Sequence, residues 1–184
     1  QNPELTKWLD DAIGRYQLIG KTGAALKGDY WLNTDAKQLD VRGKVTLIQF
    51  TAHWCVPCRK SYPAMEKYFA RYGKDGLQVV FSTELYGFFD KQQSLNAEAE
   101  VAADRAYYLE HHKIPFPVAI QARAGAPQSV TNEKQYLVGG IPQIVLLDRS
   151  GVVRMIMVGW DPANEERTTR LIEKLLKQPM GSAQ

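Results

Sequence analysis

Two periods of apolar positions run through this chain and divide it into elements. Residues 2–17, NPELTKWLDDAIGRYQ, place Leu5, Trp8, Leu9, Ala12 and Ile13 on one face at helical spacing, with Pro3 near the start where proline is tolerated. Residues 30–44 read as a short strand, a turn and an approach loop. VTLIQFT (45–51) is a continuous apolar run rich in β-branched residues, the pattern of a strand covered on both faces. Helical spacing returns at 59–76, where Met65, Tyr68, Phe69 and Tyr72 share a face. Pro63 predicts a kink in that helix, and Gly73 and Gly76 end it. LQVVFS (77–82) is a second buried-type strand, so 45–82 form a strand–helix–strand unit, which requires a parallel pair.

The next stretch opens irregularly at 83–93 and continues as a helix, LNAEAEVAADRAYYLEHHK. A strand at 115–121 follows, then a loop at 122–130 and a helical turn at 131–137. Residues 138–160 read strand, tight turn at DRSG, strand, hence an antiparallel hairpin. An amphipathic helix closes the chain at 164–178 with Leu171, Ile172, Leu175 and Leu176 inward, and 179–184 read as a flexible tail. The order βαβ, α, ββ, α specifies an α/β class protein with a mixed central sheet flanked by helices.

At 184 residues the chain is long enough for a substantial core, so neither a disulfide nor a metal is needed for folding. With 45% hydrophobic and 23% charged residues it has the composition of a soluble globular protein. The net charge of +3 comes from scattered basic residues, among them Lys7, Lys27, Lys60, Lys91 and Arg149, which leaves no footprint for nucleic acid. No apolar run reaches the roughly 20 residues of a membrane span. No signal-peptide pattern is present, and a start at Gln1 rather than Met leaves a removed leader open.

The chemistry concentrates in HWCVPC, residues 53–58, which holds the chain's 2 cysteines. A staple, half of a metal site and a redox pair compete as explanations. A bridge across two residues closes a loop too small to remove much unfolded-state entropy. A structural metal needs two more ligands. His53 stands at the strand end in poor geometry to complete a tetrahedron, and His111 and His112 are adjacent on a charged helix end. A redox pair fits best. Cys55, at a helix N-terminus beside Arg59 and Lys60, is placed to be a stabilised thiolate. Cys58, one turn on and more buried, is placed to resolve a mixed disulfide. Pro57 rigidifies the turn, and Trp54 supplies an apolar lip.

VTLIQFTAHWCVPCRKSYPAMEKYF, followed about 80 residues later by GGIPQIVLLDRSG, resembles the thioredoxin superfamily, and within it the TlpA/ResA-like thiol–disulfide oxidoreductases of bacterial cell envelopes. The likeness covers about residues 26–178. It implies a thioredoxin-like fold, preceded by an N-terminal helical extension (1–25) and enlarged by an insertion at about 83–135. It also implies that Pro142 is a cis-proline facing the cysteines, with the Ile141 backbone pairing with an extended substrate segment. Trp160 falls where the family has a loop beside the active site.

Three departures stand out. The family's strand aspartate and its glutamate three residues after the second cysteine become Gln49 and Ser61. Neither can take a proton at neutral pH. Glu84, after LQVVFS, and His53 are the substitute proton-handling candidates. The third is the insertion itself, with Tyr86, Phe88, Phe89, Tyr107 and Tyr108; it reads either as a partner-selective cover or as extra helix packing.

The resemblance thus implies a monomeric reductase of the periplasm or cell envelope that exchanges disulfides with partner proteins and is recharged by an upstream redox partner. It implies no organic cofactor and no metal. A non-catalytic binding module using the groove of Trp54, Pro142 and Trp160 is the second reading, and a metal carrier the third.

Overall fold

A computed structural model describes residues 2–122 and 131–179. The loop expected at 122–130 and the tail expected at 179–184 therefore lie, but for Ala122 and Pro179, outside the described residues. Helix α1 (Pro3–Tyr16) begins at Asn2, whose side chain accepts hydrogen bonds from the Glu4 and Leu5 N–H groups. Its apolar face does not point into the core: Leu5, Trp8, Leu9 and Ile13 are exposed, and the buried residue is Arg15. Arg15 Nε donates to the Leu137 carbonyl at 2.8 Å, which ties the helix down by a polar contact. Periodicity reports that a face exists, not what covers it.

The small strands β1 (Leu26–Lys27), β2 (Tyr30–Leu32) and β3 (Gln38–Leu39) lead into β4 (Val45–Phe50), in which all six residues are buried. The helical stretch after β4 is divided. A short α2 (Val56–Arg59) stops before Lys60, and α3 (Tyr62–Tyr72) starts afresh from Ser61. The expected kink is thus a full break placed before Pro63, because a continuous helix would need an N–H that Pro63 lacks. Strand β5 (Leu77–Glu84) follows, two residues longer than the pattern predicted.

The segment after β5 holds a hairpin of β6 (Phe88–Phe89) and β7 (Gln92–Gln93), then α4 (Ala97–Arg105) running into a π-helical turn (Ala106–His111). Next come β8 (Val118–Gln121), the short α5 (Asn132–Gln135), the hairpin β9 (Gln143–Leu147) and β10 (Val153–Val158), and α6 (Glu165–Leu176).

Six strands form one mixed sheet in the order β10-β9-β4-β5-β8-β2. The β4–β5 and β5–β8 pairs are parallel; the other three are antiparallel. Alternation along the strands divides the core. Leu47, Val79, Phe81, Ile144 and Leu146 join Met65, Tyr68, Ile172 and Leu175 of α3 and α6 on one face. Ile48, Phe50, Val80, Val145 and Leu147 pack with Leu26, Val41 and Tyr136 on the other. Parallel β4 and β5 end at the same edge, and antiparallel β9 begins there, with Gln143 opposite Phe50. That edge carries the candidate site.

Candidate active site

Where β4 ends, Thr51 still donates its N–H to Ser82 of β5 at 3.0 Å. The chain then turns: the Cys55 N–H reaches back to the Ala52 carbonyl at 3.0 Å, with His53 and Trp54 at the centre of the turn. Cys55 is the N-cap of α2, and its Sγ accepts the Cys58 N–H at 3.2 Å. Cys55 and Cys58 are joined in a disulfide with a Cα–Cα distance of 5.3 Å. Both sulfurs are buried within the α3/α6 face of the core, whereas Trp54 and Val56 stand 45% and 58% exposed beside them. A large apolar rim around a recessed disulfide gives an incoming chain a surface to cover.

Pro142 comes to the same edge by register. Gln143 pairs with Phe50, so Pro142 stands one step beyond, level with the start of the cysteine turn. The Ile141–Pro142 peptide is cis, and the Pro142 carbonyl accepts the Gly159 N–H at 2.7 Å. Gly159 has φ +83°, a conformation that suits glycine, and it feeds Trp160 into the core. Ile141 and Trp160 are half-buried against the cluster that contains both cysteines.

Gln49 and Ser61 are fully buried and meet each other. The Ser61 hydroxyl lies 2.8 Å from Gln49 Oε1 and 2.6 Å from the Cys58 carbonyl. Gln49 Nε2 donates to that same carbonyl at 3.4 Å. The structure moves Glu84 away from this group. Along β5, Val79 and Phe81 face the cysteine side and Val80 the other, so Glu84 shares the face of Val80. There it lines a cleft of about 680 Å³ with Trp8, Arg15 and Leu137. Glu84 is a buried strand residue on the wrong face, not the acid beside Cys58.

His53 behaves differently. Its ring is buried in a box formed by Tyr86, Phe88 and Phe89, with centroids at 5.9, 5.4 and 4.5 Å. Its Nδ1 lies 3.4 Å from Oδ1 of Asp104, a buried residue of α4. Burial pushes the Asp104 carboxyl above the ordinary aspartate range, and the His53 imidazole opposes that rise. Glu100, one turn earlier on α4, accepts the Tyr86 and Gly87 N–H groups at 2.6 and 2.7 Å. Those bonds hold the loop whose Tyr86 ring stands edge-on to Trp54 at 5.4 Å.

A family model described as Redoxin matches residues 32–172. The chain belongs to the Redoxin family. Among curated relatives of this Redoxin chain, the "Thioredoxin-like protein YneN" of Bacillus subtilis is 32% identical over 120 residues, 65% of this chain and 59% of that one. The "Thiol-disulfide oxidoreductase ResA" of Bacillus cereus is 26% identical over 140 residues, 76% of this chain and 65% of that one. The chain thus spans less than two thirds of the length of either. Solved structures agree on the fold. A crystal structure called thioredoxin-like superfamily protein SPOA0173 superposes with a TM-score of 0.67 at 22% identity, covering 86% of this chain and 98% of the other. The structure called "putative Thiol:disulfide interchange protein DsbE from Chlorobium tepidum" gives 0.62 at 29% identity, covering 86% and 97%. The fold is thioredoxin-like.

Sequence reasoning missed Asp104 and Glu100. Their signal was faint but present. Ala97, Val101 and Tyr108 are apolar at helical spacing, and that same face carries Glu100 and Asp104 at i and i+4. Acidic residues on a face patterned for burial call for partners, but nothing local names them.

Proposed function

We propose that this chain is a thiol–disulfide oxidoreductase that exchanges disulfides with partner proteins. The observation that carries the reading is the Cys55–Cys58 disulfide at the start of α2, on the sheet edge that also carries Ile141 and Pro142. The ResA relative is named for the same activity. In the reductive direction the reduced Cys55 thiolate attacks a partner disulfide, and a Cys55–partner bond forms as the partner's own S–S bond breaks. Cys58 then attacks Cys55, the Cys55–Cys58 bond forms and the partner leaves as a thiol. The exposed Trp54 and Val56 support the partner segment from one side, and the backbone of Ile141 pairs with it from the other. Residues 26–178 form the redox domain in this reading, with 1–25 an extension and 83–135 an insertion.

The cell envelope, as a reductase, is the setting the likeness to ResA supports. No helix among the described residues is long and apolar enough to cross a membrane.

Trapping tests the assignment of roles. Cys58→Ala should accumulate mixed disulfides through Cys55, seen by mass spectrometry, and Cys55→Ala should accumulate none. Equal trapping by both variants overturns the roles. A pair that never cycles between disulfide and dithiol overturns the activity.

A further inference from the structure

Glu84 ends β5 in the cleft of about 680 Å³ on the sheet face away from the cysteines. It is 9% exposed, and among the described residues nothing hydrogen-bonds or ion-pairs with its carboxyl group. An acidic group so deeply placed calls for a partner, because burial without one is costly. The cleft supplies none of its own. Arg15 lines it but is committed elsewhere: its Nε donates to the Leu137 carbonyl at 2.8 Å, and its fork lies against Gly139, where a Cβ would have no room. Lys134 is exposed at the mouth, where Asp10 and Glu133 add acidic groups. Trp8 and Leu137, 64% and 43% exposed, give the same cleft apolar walls. This combination fits a long cationic side chain, with its aliphatic stem against Trp8 and Leu137 and its charged end at Glu84.

The cleft is continuous with the edge that carries the disulfide. Ser82 of β5 and Gln143 of β9 both pair with Phe50, the last residue of β4. Glu84 stands two residues beyond Ser82, and Pro142 and Ile141 stand one and two before Gln143, so all three project past the end of β4. One strand separates β5 from β9. The lateral distance between them is therefore about 10 Å, the span of roughly three residues of extended chain. Gly139, in the cleft wall, leads through Gly140 directly into Ile141.

We propose that this cleft is a specificity subsite, built jointly by α1 and the sheet edge, that takes a lysine or arginine side chain of the partner about three residues from its reacting cysteine. The proposal rests on the oxidoreductase reading above and names a class of partner for it. A segment paired with the Ile141 backbone continues over Gly139 and delivers its basic side chain to Glu84. Arg15 is a positioning residue, because its bond to Leu137 holds the α1 wall against the loop that leads to Pro142. The N-terminal extension thereby selects partners by charge.

Short peptides test the subsite. Each has one cysteine joined by a disulfide to glutathione, and they differ only in carrying Lys, Gln or Glu at one position two to four residues from that cysteine, on either side. At one such position the reduced wild-type protein should cleave the Lys peptide with a kcat/KM roughly 10-fold above the Gln peptide. The advantage should shrink at high salt. In Glu84→Gln the two peptides should differ by less than about twofold. Absence of a Lys preference at every position in the wild type, or a preference that survives Glu84→Gln, overturns the subsite. A second measurement needs no variant. The preferred Lys peptide, with serine in place of its cysteine, should shift the Glu84 side-chain carboxyl resonance of the wild-type protein, and its Gln counterpart should not. An unmoved Glu84 resonance with the Lys peptide also overturns the subsite. Wild-type protein that reduces no disulfide at all sinks the oxidoreductase reading itself. Cleavage of all the peptides at equal rates sinks only the subsite.

Discussion

Ser61 and Gln49 show how a pair of neutral side chains can occupy a place where proton-carrying ones were expected. Each satisfies the other, and both bind the Cys58 carbonyl, so the helix start beneath the resolving cysteine is held without charge. Removing one partner is costlier than the bond is worth, because the other is left buried and unpaired. Ser61→Ala should therefore lower stability by about 1–3 kcal/mol in urea unfolding. A loss below a few tenths would mean that water or a rearranged Gln49 replaces the hydroxyl. The identities of these two residues were plain in the sequence, as was the absence of carboxylates. Their mutual bond was not, since 12 positions separate them and only the pairing of strand with helix break brings them together.

At the scale of elements, the insertion acts as a splint on the active-site turn. Glu100 of α4 receives two backbone N–H groups from the loop at Tyr86 and Gly87, and that loop presents Tyr86 to both His53 and Trp54. Hydrogen bonds to a charged acceptor contribute about 1.5–3 kcal/mol each. Glu100→Ala should thus speed hydrogen exchange at the Tyr86 and Gly87 amides by roughly 100-fold or more. Exchange at those amides no faster than in the wild type would show that the loop is held by its aromatic contacts alone. The central elements were legible because their patterns are local and unambiguous: the apolar run of β4 and the β9–β10 hairpin around DRSG. Less was legible where tertiary contact decides. The apolar face of α1 reads as a packing face and is exposed. Glu84 reads as a strand-end acid near the cysteines, yet two extra residues of β5 and the strict alternation of a strand carry it to the opposite face. The helix at 95–113 reads as one piece and is two, with Asp104 buried just before the π-helical turn.

For the molecule as a whole, these contacts make stability depend on pH through the seam between insertion and core. His112 closes the π-helical turn, with its ring 4.5 Å from Tyr107 and 5.3 Å from Tyr62 of α3. Burial lowers its pKa below the ordinary histidine value, and the neighbouring His111 and Arg59 lower it further. A histidine depressed in the folded state binds its proton more readily when unfolded, so stability is full above the unfolded value near 6.5 and is lost as pH falls below it. Asp104, raised by burial, works the other way: its contribution is present below the ordinary aspartate value and is lost as pH rises through its elevated one. Between about pH 7 and 5 the His112 contribution is lost as pH falls, while most other carboxylates are still ionised. The thermal midpoint should therefore fall across that range in the wild type. In His112→Phe, which keeps a ring between Tyr107 and Tyr62 but cannot take a proton, it should fall less. Parallel slopes in the two proteins would place the acid sensitivity elsewhere. A shallower slope in the variant would show that the insertion is docked through a histidine that must stay neutral, so acid loosens the same seam that brings Asp104 to His53.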